Sequence, residues 1–103
     1  MSDFEYPRQN VFTIYSKSGC TSCVKAKNLL KDKNEQMHII DCDDYLLENK
    51  EDFLDFIQNL ACGKEHRTFP IVFYNTQYIG GYTELQKKLL TFDERDIDFF
   101  SNF

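Results

Sequence analysis

No stretch of this chain is long and apolar enough to cross a bilayer. The longest apolar runs, VFTIY and PIVFY, fall well short of the roughly 20 residues a membrane helix needs. The opening MSDFEYPRQN has no basic start followed by an apolar stretch, so no secretory leader is expected and the protein is read as soluble and cytoplasmic. Positive charge is in deficit. Twelve Lys and Arg against 17 Asp and Glu leave a net charge of -5, which repels a phosphate backbone and an anionic membrane alike. Neither nucleic acid nor a membrane is expected as a partner. Tryptophan is absent, and there is no repeat, linker or low-complexity segment. With 103 residues, 42% apolar content and ten phenylalanines, the chain can bury one core but not two, so a single domain over 1–103 is expected.

What is present is ordered along the chain. VFTIY at 11–15 is β-branched and aromatic with little polar alternation, as in a strand buried on both faces. SKSG follows as a turn. From Cys20 the pattern turns helical, with Cys23, Ala26, Leu29 and Leu30 on one side. MHIID at 37–41 reads as a second strand and CDDY as a loop leading into a helix, in which Phe53, Phe56, Ile57 and Leu60 keep helical spacing. IVFY and QYI, joined by Asn75-Thr76, read as a hairpin stopped by Gly80-Gly81. Thr83 is the expected cap of the next helix, with Leu85, Leu89 and Phe92 on one face. A last short helix is expected from an Asp93 cap, burying Ile97, Phe100 and Phe103. The order β-α-β-α-β-β-α needs a parallel pair for the crossover and an antiparallel one for the hairpin. The expected fold is α/β, a mixed four-stranded sheet with helices on both faces.

Four cysteines stand at 20, 23, 42 and 62. A structural zinc site usually draws on two close pairs, and only Cys20 and Cys23 form one. Cys42, Cys62, His38 and His66 stand alone, so no metal site is expected. A structural staple is disfavoured too, since so short a loop restrains little entropy and an unsecreted protein sits in a reducing compartment. Reactivity fits the position. Cys20 falls at the mouth of a helix, where unpaired amides favour a thiolate, and Lys17 adds a nearby positive charge. Cys23 lies nearly one turn further along the same side, placed to attack a mixed disulfide. Cys42 and Cys62 are read as buried or idle thiols, with modification of the Cys62 thiol a minor alternative.

Two further segments add to this pair. In TFP, a proline at the mouth of a strand can take the cis form, letting Phe69 offer its amide and carbonyl to an extended ligand. In IGGYTEL, two glycines permit positive φ and close approach, the amides at the helix start suit a carboxylate, and Glu84 suits an amine. Taken singly, Pro70 is an ordinary strand-entry proline and Thr83 an ordinary cap. Their occurrence together, in this order after a C-x-x-C, is what singles them out.

From VFTIYSKSGCTSC through RTFPIVF to QYIGGYTEL, the chain resembles glutaredoxins of the thioredoxin fold. The missing tryptophan before the cysteine pair sets it apart from thioredoxin itself. The resemblance implies that Cys20 takes up glutathione and Cys23 is a second, partly dispensable thiol. It implies that Lys17 and Arg67 meet the glycyl carboxylate, and that the backbone of Phe69, before cis Pro70, pairs with the cysteinyl unit. Gly81, Tyr82, Thr83 and Glu84 would hold the γ-glutamyl end. Three features depart from the pattern: Thr21-Ser22 replaces the usual Pro-Tyr, Leu54 stands where many members carry glutamine, and the loop CGKEH before Arg67 is long. Lys64 and His66 are read as solvated loop residues, with substitution for the lost glutamine contact as the alternative.

The implied activity is glutathione-dependent thiol-disulfide exchange by a monomer, with glutathione as co-substrate. Its substrates would be glutathionylated thiols and protein disulfides such as that of a ribonucleotide reductase. Two other readings stand beside it. Thr21 allows a glutathione-ligated [2Fe-2S] dimer, although the C-G-F-S stretch of dedicated cluster carriers is absent. An electron donor reduced by a thioredoxin reductase keeps the fold but leaves IGGYTEL unused.

Overall fold

A computed structural model describes residues 4–101, with side chains described as far as 91. The elements in chain order are β1 (Phe12–Ser16), α1 (Thr21–Asp32), β2 (Met37–Asp41), α2 (Asp43–Leu60), β3 (Ile71–Tyr74), β4 (Gln77–Gly80) and α3 (Tyr82–Ser101). The sheet has the order β2-β1-β3-β4. β1 pairs in parallel with β2, Ile14 opposite Ile39, and antiparallel with β3, Ile14 opposite Val72. A strand with neighbours on both edges and helices on both faces has no solvated side, and all five residues of β1 are buried.

The two faces have separate cores. On one, Phe12, Ile14 and Val72 pack against Ala26 and Leu30 of α1 and Leu85 and Leu89 of α3. On the other, Tyr15, Ile71 and Phe73 pack against Phe53, Leu54 and Ile57 of α2. Phe4 closes this second core, its ring edge-on to Tyr45 and Phe53. The mixed four-stranded sheet flanked by helices is therefore the observed architecture, a thioredoxin-like α/β fold.

The β3–β4 hairpin turns at Asn75 and Thr76, with φ of 50° and 67°. Two consecutive residues at positive φ match the right-handed twist of the strands they join.

Four boundaries differ from the sequence reading. CDDY is not a loop: α2 begins at Asp43, with Asp43 and Asp44 in its first turn, where carboxylates suit the helix dipole. The same helix is bent at Asn49, which has non-helical φ and ψ of -144° and 52°. Gly80 is the last residue of β4 and has φ of +135°, whereas Gly81 is not among the positive-φ residues. Finally, α3 runs without a break through Asp93, so no separate helix starts there. The burial expected for Ile97, Phe100 and Phe103 lies outside the described side chains.

Candidate active site

Cys20 is the N-cap residue of α1, in extended conformation, and its Sγ accepts a hydrogen bond from the Cys23 amide at 3.1 Å. A sulfur thus fills the place a serine or aspartate oxygen commonly takes at a helix start. Cys20 and Cys23 are joined as a disulfide with their Cα atoms 5.2 Å apart. Burial distinguishes them. Cys20 is partly exposed, whereas Cys23 is 1% exposed, on the face of α1 that carries Ala26 and Leu30 into the core.

The loop before Cys20 is tied to the other side of the molecule. Asp43, at the start of α2, accepts from the Ser18 amide at 2.9 Å and from the Ser18 hydroxyl. These two hydrogen bonds, the hydroxyl's first, hold the Asp43 carboxyl below its ordinary range, with Lys17 adding to the effect. No local pattern in the sequence marks Asp43, because its partner lies 25 residues away.

Phe69 and Pro70 are linked by a cis peptide. The Phe69 ring stacks on Phe53 of the core, centroids 6.4 Å apart and 9° from parallel. Lys17 Nζ lies 5.6 Å from the centroid of the same ring. An aromatic face attracts a cation at this range, so Lys17 leans toward the TFP segment without losing its exposure.

The expected binding residues converge unequally. Arg67, Phe69, Pro70, Gly81, Tyr82, Thr83 and Glu84 line one cleft of roughly 600 Å³, which Ser22 and Lys64 also border. Lys17, Cys20 and Cys23 line a second, of roughly 340 Å³. Lys17 and Arg67 thus line different clefts, although Lys17 reaches over the Phe69 ring that walls the first. Arg67 is also engaged: its Nη1 and Nη2 donate to the two oxygens of Glu51 at 3.3 and 2.8 Å, and Glu65 lies 3.8 Å away. Glu51 raises the Arg67 pKa and is itself lowered by it.

The helix start at IGGYTEL also differs from expectation. The cap is Glu84, not Thr83. Its Oε1 accepts from the Gly81 amide at 2.9 Å, and this bond holds the Glu84 carboxyl below its ordinary value. A glutamate three residues into a helix reaching back to the first amide is a familiar capping arrangement. The Gly81 amide is thus already taken, while those of Tyr82 and Thr83 have no partner among the described residues. Gly80 is needed beneath this cap, because a Cβ there would lie 2.7 Å from Glu84 Cγ.

His66 is not a solvated loop residue. It is half-buried in the 600 Å³ cleft, with Nδ1 2.5 Å from the Tyr78 hydroxyl and the two rings perpendicular. Burial lowers its pKa, with Glu84 opposing. Lys64, by contrast, is exposed as expected. Leu54 is buried in the α2 core, 4% exposed.

The remaining thiols separate as well. Cys42 is fully buried, with its pKa pushed up to about 12 by burial, so its reactive anion is suppressed. Cys62 is exposed just past the end of α2. Among the described residues, no three His, Cys, Asp or Glu side chains gather as a metal site would require.

Comparison with known proteins gives a consistent answer. The glutaredoxin family model matches residues 12–79. The chain is 35% identical over 78 residues to a mitochondrial glutaredoxin-2 of Pongo abelii, covering 76% of this chain but 45% of that protein. It spans less than half the length of this relative. Among solved structures, glutaredoxin 1 of Francisella tularensis, complexed with cacodylate, superposes with a TM-score of 0.63 at 30% identity, covering 78% of this chain and 95% of that one. A dithiolic glutaredoxin of Trypanosoma brucei brucei gives a TM-score of 0.61 at 26% identity, covering 76% and 75% respectively.

Proposed function

The chain belongs to the glutaredoxin family, and on that premise we propose that it is a glutathione-dependent thiol-disulfide oxidoreductase. The observation that carries the proposal is the placing of Cys20. Cys20 is partly exposed, its sulfur caps a helix and accepts the Cys23 amide, and Ser22, two residues on, borders the cleft lined by Arg67, Phe69 and Gly81.

Once the disulfide is reduced, the same amide and the helix dipole favour the Cys20 thiolate. That thiolate attacks the glutathione sulfur of a mixed disulfide. One sulfur-sulfur bond forms as another breaks, and the substrate thiolate departs with the electron pair and takes a proton from water. A second glutathione, as its thiolate, attacks the glutathione sulfur held on Cys20. This yields glutathione disulfide and returns the Cys20 thiolate. With a protein disulfide, Cys23 instead attacks the mixed disulfide formed on Cys20, releasing the second substrate thiol and leaving the Cys20–Cys23 disulfide.

In this reading the 600 Å³ cleft receives glutathione extended past Phe69, whose backbone pairs with the cysteinyl unit. The γ-glutamyl carboxylate meets the Tyr82 and Thr83 amides. Its ammonium meets Glu84, and Arg67 on the cleft wall and Lys17 over the Phe69 ring attract the glycyl carboxylate. Glu84 can serve the ammonium while capping Gly81, since a carboxylate has lone pairs for both.

The test is turnover of a small glutathionylated disulfide, supplied either with glutathione, glutathione reductase and NADPH or with thioredoxin reductase and NADPH. Turnover with the first system and not the second is expected. Turnover only with the second overturns the reading in favour of a donor that does not use glutathione.

A further inference from the structure

Cys20 lines a second cleft, of which the proposed glutathione site uses only Cys20 and Lys17. Its wall is formed by Lys17, Val24, Lys27, Ile39 and Asp41 around the Cys20 sulfur. Two apolar side chains face water here: Val24 is 53% and Ile39 37% exposed. The charges run against the character of the whole molecule. Of the charged side chains lining it, Lys17 and Lys27 are cationic and Asp41 is a carboxylate, in a chain of net charge -5, with Asp43 also close enough to act on Lys17. One oxygen of the Asp41 carboxylate already accepts the Asp43 amide at 3.0 Å. Lys31, one turn beyond Lys27 on α1, extends the positive face, and the helix has no acid in its first turn. β2, which supplies Ile39 and Asp41, is an edge strand paired with β1.

The geometry points to this cleft as the docking site of a protein substrate, in particular of an acidic segment with an aliphatic residue next to the cysteine that Cys20 attacks. A polypeptide joined to Cys20 must leave that sulfur in two directions, and this cleft, which Cys20 itself lines, receives one of them. Val24 and Ile39 cover the aliphatic side chain, while Lys17 and Lys27 meet the carboxylates. Charges at such a rim act mainly on association rate and partner choice. The inference rests on Cys20 as nucleophile but not on the use of glutathione.

The test employs the Cys23→Ser protein and two synthetic peptides, each with one cysteine activated as a thionitrobenzoate disulfide. One peptide carries Glu and Leu beside the cysteine, the other Lys and Leu. The Cys20 thiolate attacks the peptide sulfur, the peptide–aryl disulfide breaks, and the coloured aryl thiolate leaves with the electron pair. The quantity read is the ratio of the two second-order rates, from which any change in the reactivity of Cys20 itself cancels. The acidic peptide should react roughly fivefold faster, the upper range for exposed ion pairs. The ratio should fall to about one in Lys27→Glu, and in the parent at about 0.5 M salt. Val24→Asp should also lower it. Equal rates for the two peptides, or a ratio unchanged by Lys27→Glu, overturns the proposal. Turnover with glutathione, measured on the same preparations, separates the two readings: its absence with the ratio intact rejects the glutathione site and leaves the docking cleft standing.

Discussion

Arg67 and Glu51 form a two-pronged ion pair across the rim of the larger cleft, each guanidinium nitrogen donating to its own carboxylate oxygen at 3.3 and 2.8 Å. Both side chains are largely solvated, 45% and 68% exposed. The cation best placed to attract a ligand carboxylate therefore already holds one. A ligand must displace Glu51 or share Arg67 with it.

The two partners should accordingly respond in opposite directions. Arg67→Gln is expected to raise the KM for glutathione by roughly two- to fivefold with little change in kcat, the form taken by loss of uniform binding. Glu51→Gln should lower KM by a similar factor because it removes the competitor. Steady-state kinetics on both variants decide the matter, and a raised KM in Glu51→Gln would make Glu51 a support for Arg67.

The contrast in burial across the cysteine pair sets separate roles. Cys20→Ser should abolish all exchange activity. Cys23→Ser should keep removal of glutathione from small mixed disulfides and lose reduction of protein disulfides, for which the second thiol is required. Equal loss of deglutathionylation in both variants would contradict the assignment.

In the reduced protein the Cys20 thiol should titrate below the value of about 8.5 for a free cysteine, because the Cys23 amide and the α1 dipole stabilise its anion. The rate of alkylation by iodoacetamide against pH in Cys23→Ser reads this midpoint. Mass mapping removes the contribution of exposed Cys62. A midpoint at or above the free value would show that Cys20 is not activated.

His66 gives a stability prediction whose sign is fixed by its lowered pKa. Below about 6.5, the ordinary histidine value, the unfolded chain binds a proton that the folded chain resists. Folding stability contributed by this group is therefore present above that pH and declines as the pH falls toward the folded value. The difference in melting temperature between the parent and His66→Gln should shift against the parent as the pH drops below 6.5. A pH-independent difference would mean that burial against Tyr78 does not disfavour the charged ring.

Much of this molecule was legible in its residues because the relevant physics is local or periodic. β1 reads as a buried strand from its apolar run, and α1 and the later part of α2 read from their helical spacing. Cys20 needed only the strand–turn–helix order to be placed at a helix mouth. TFP and IGGYTEL were found because proline and glycine leave marks that do not depend on distant partners.

What the sequence could not decide was set by contacts between distant positions. The resemblance gives Lys17 and Arg67 one carboxylate to meet; the fold adds that Arg67 is paired with Glu51, 16 residues away, and that Lys17 lies over the Phe69 ring. A position in a polar loop suggests solvent for His66, whereas Tyr78 of β4 holds the ring in a cleft wall. The acidic CDDY reads as a loop, because charge favours solvent in the absence of a partner. Ser18, 25 residues earlier, gives Asp43 that partner and ties the reactive loop to α2. A sequence carries its periodicity and its backbone constraints within a few residues, and these determined the sheet, the helices and the cysteine pair. The partner of each exposed charge depends on which surfaces the finished fold brings within a few ångströms, so the tertiary structure alone decided it.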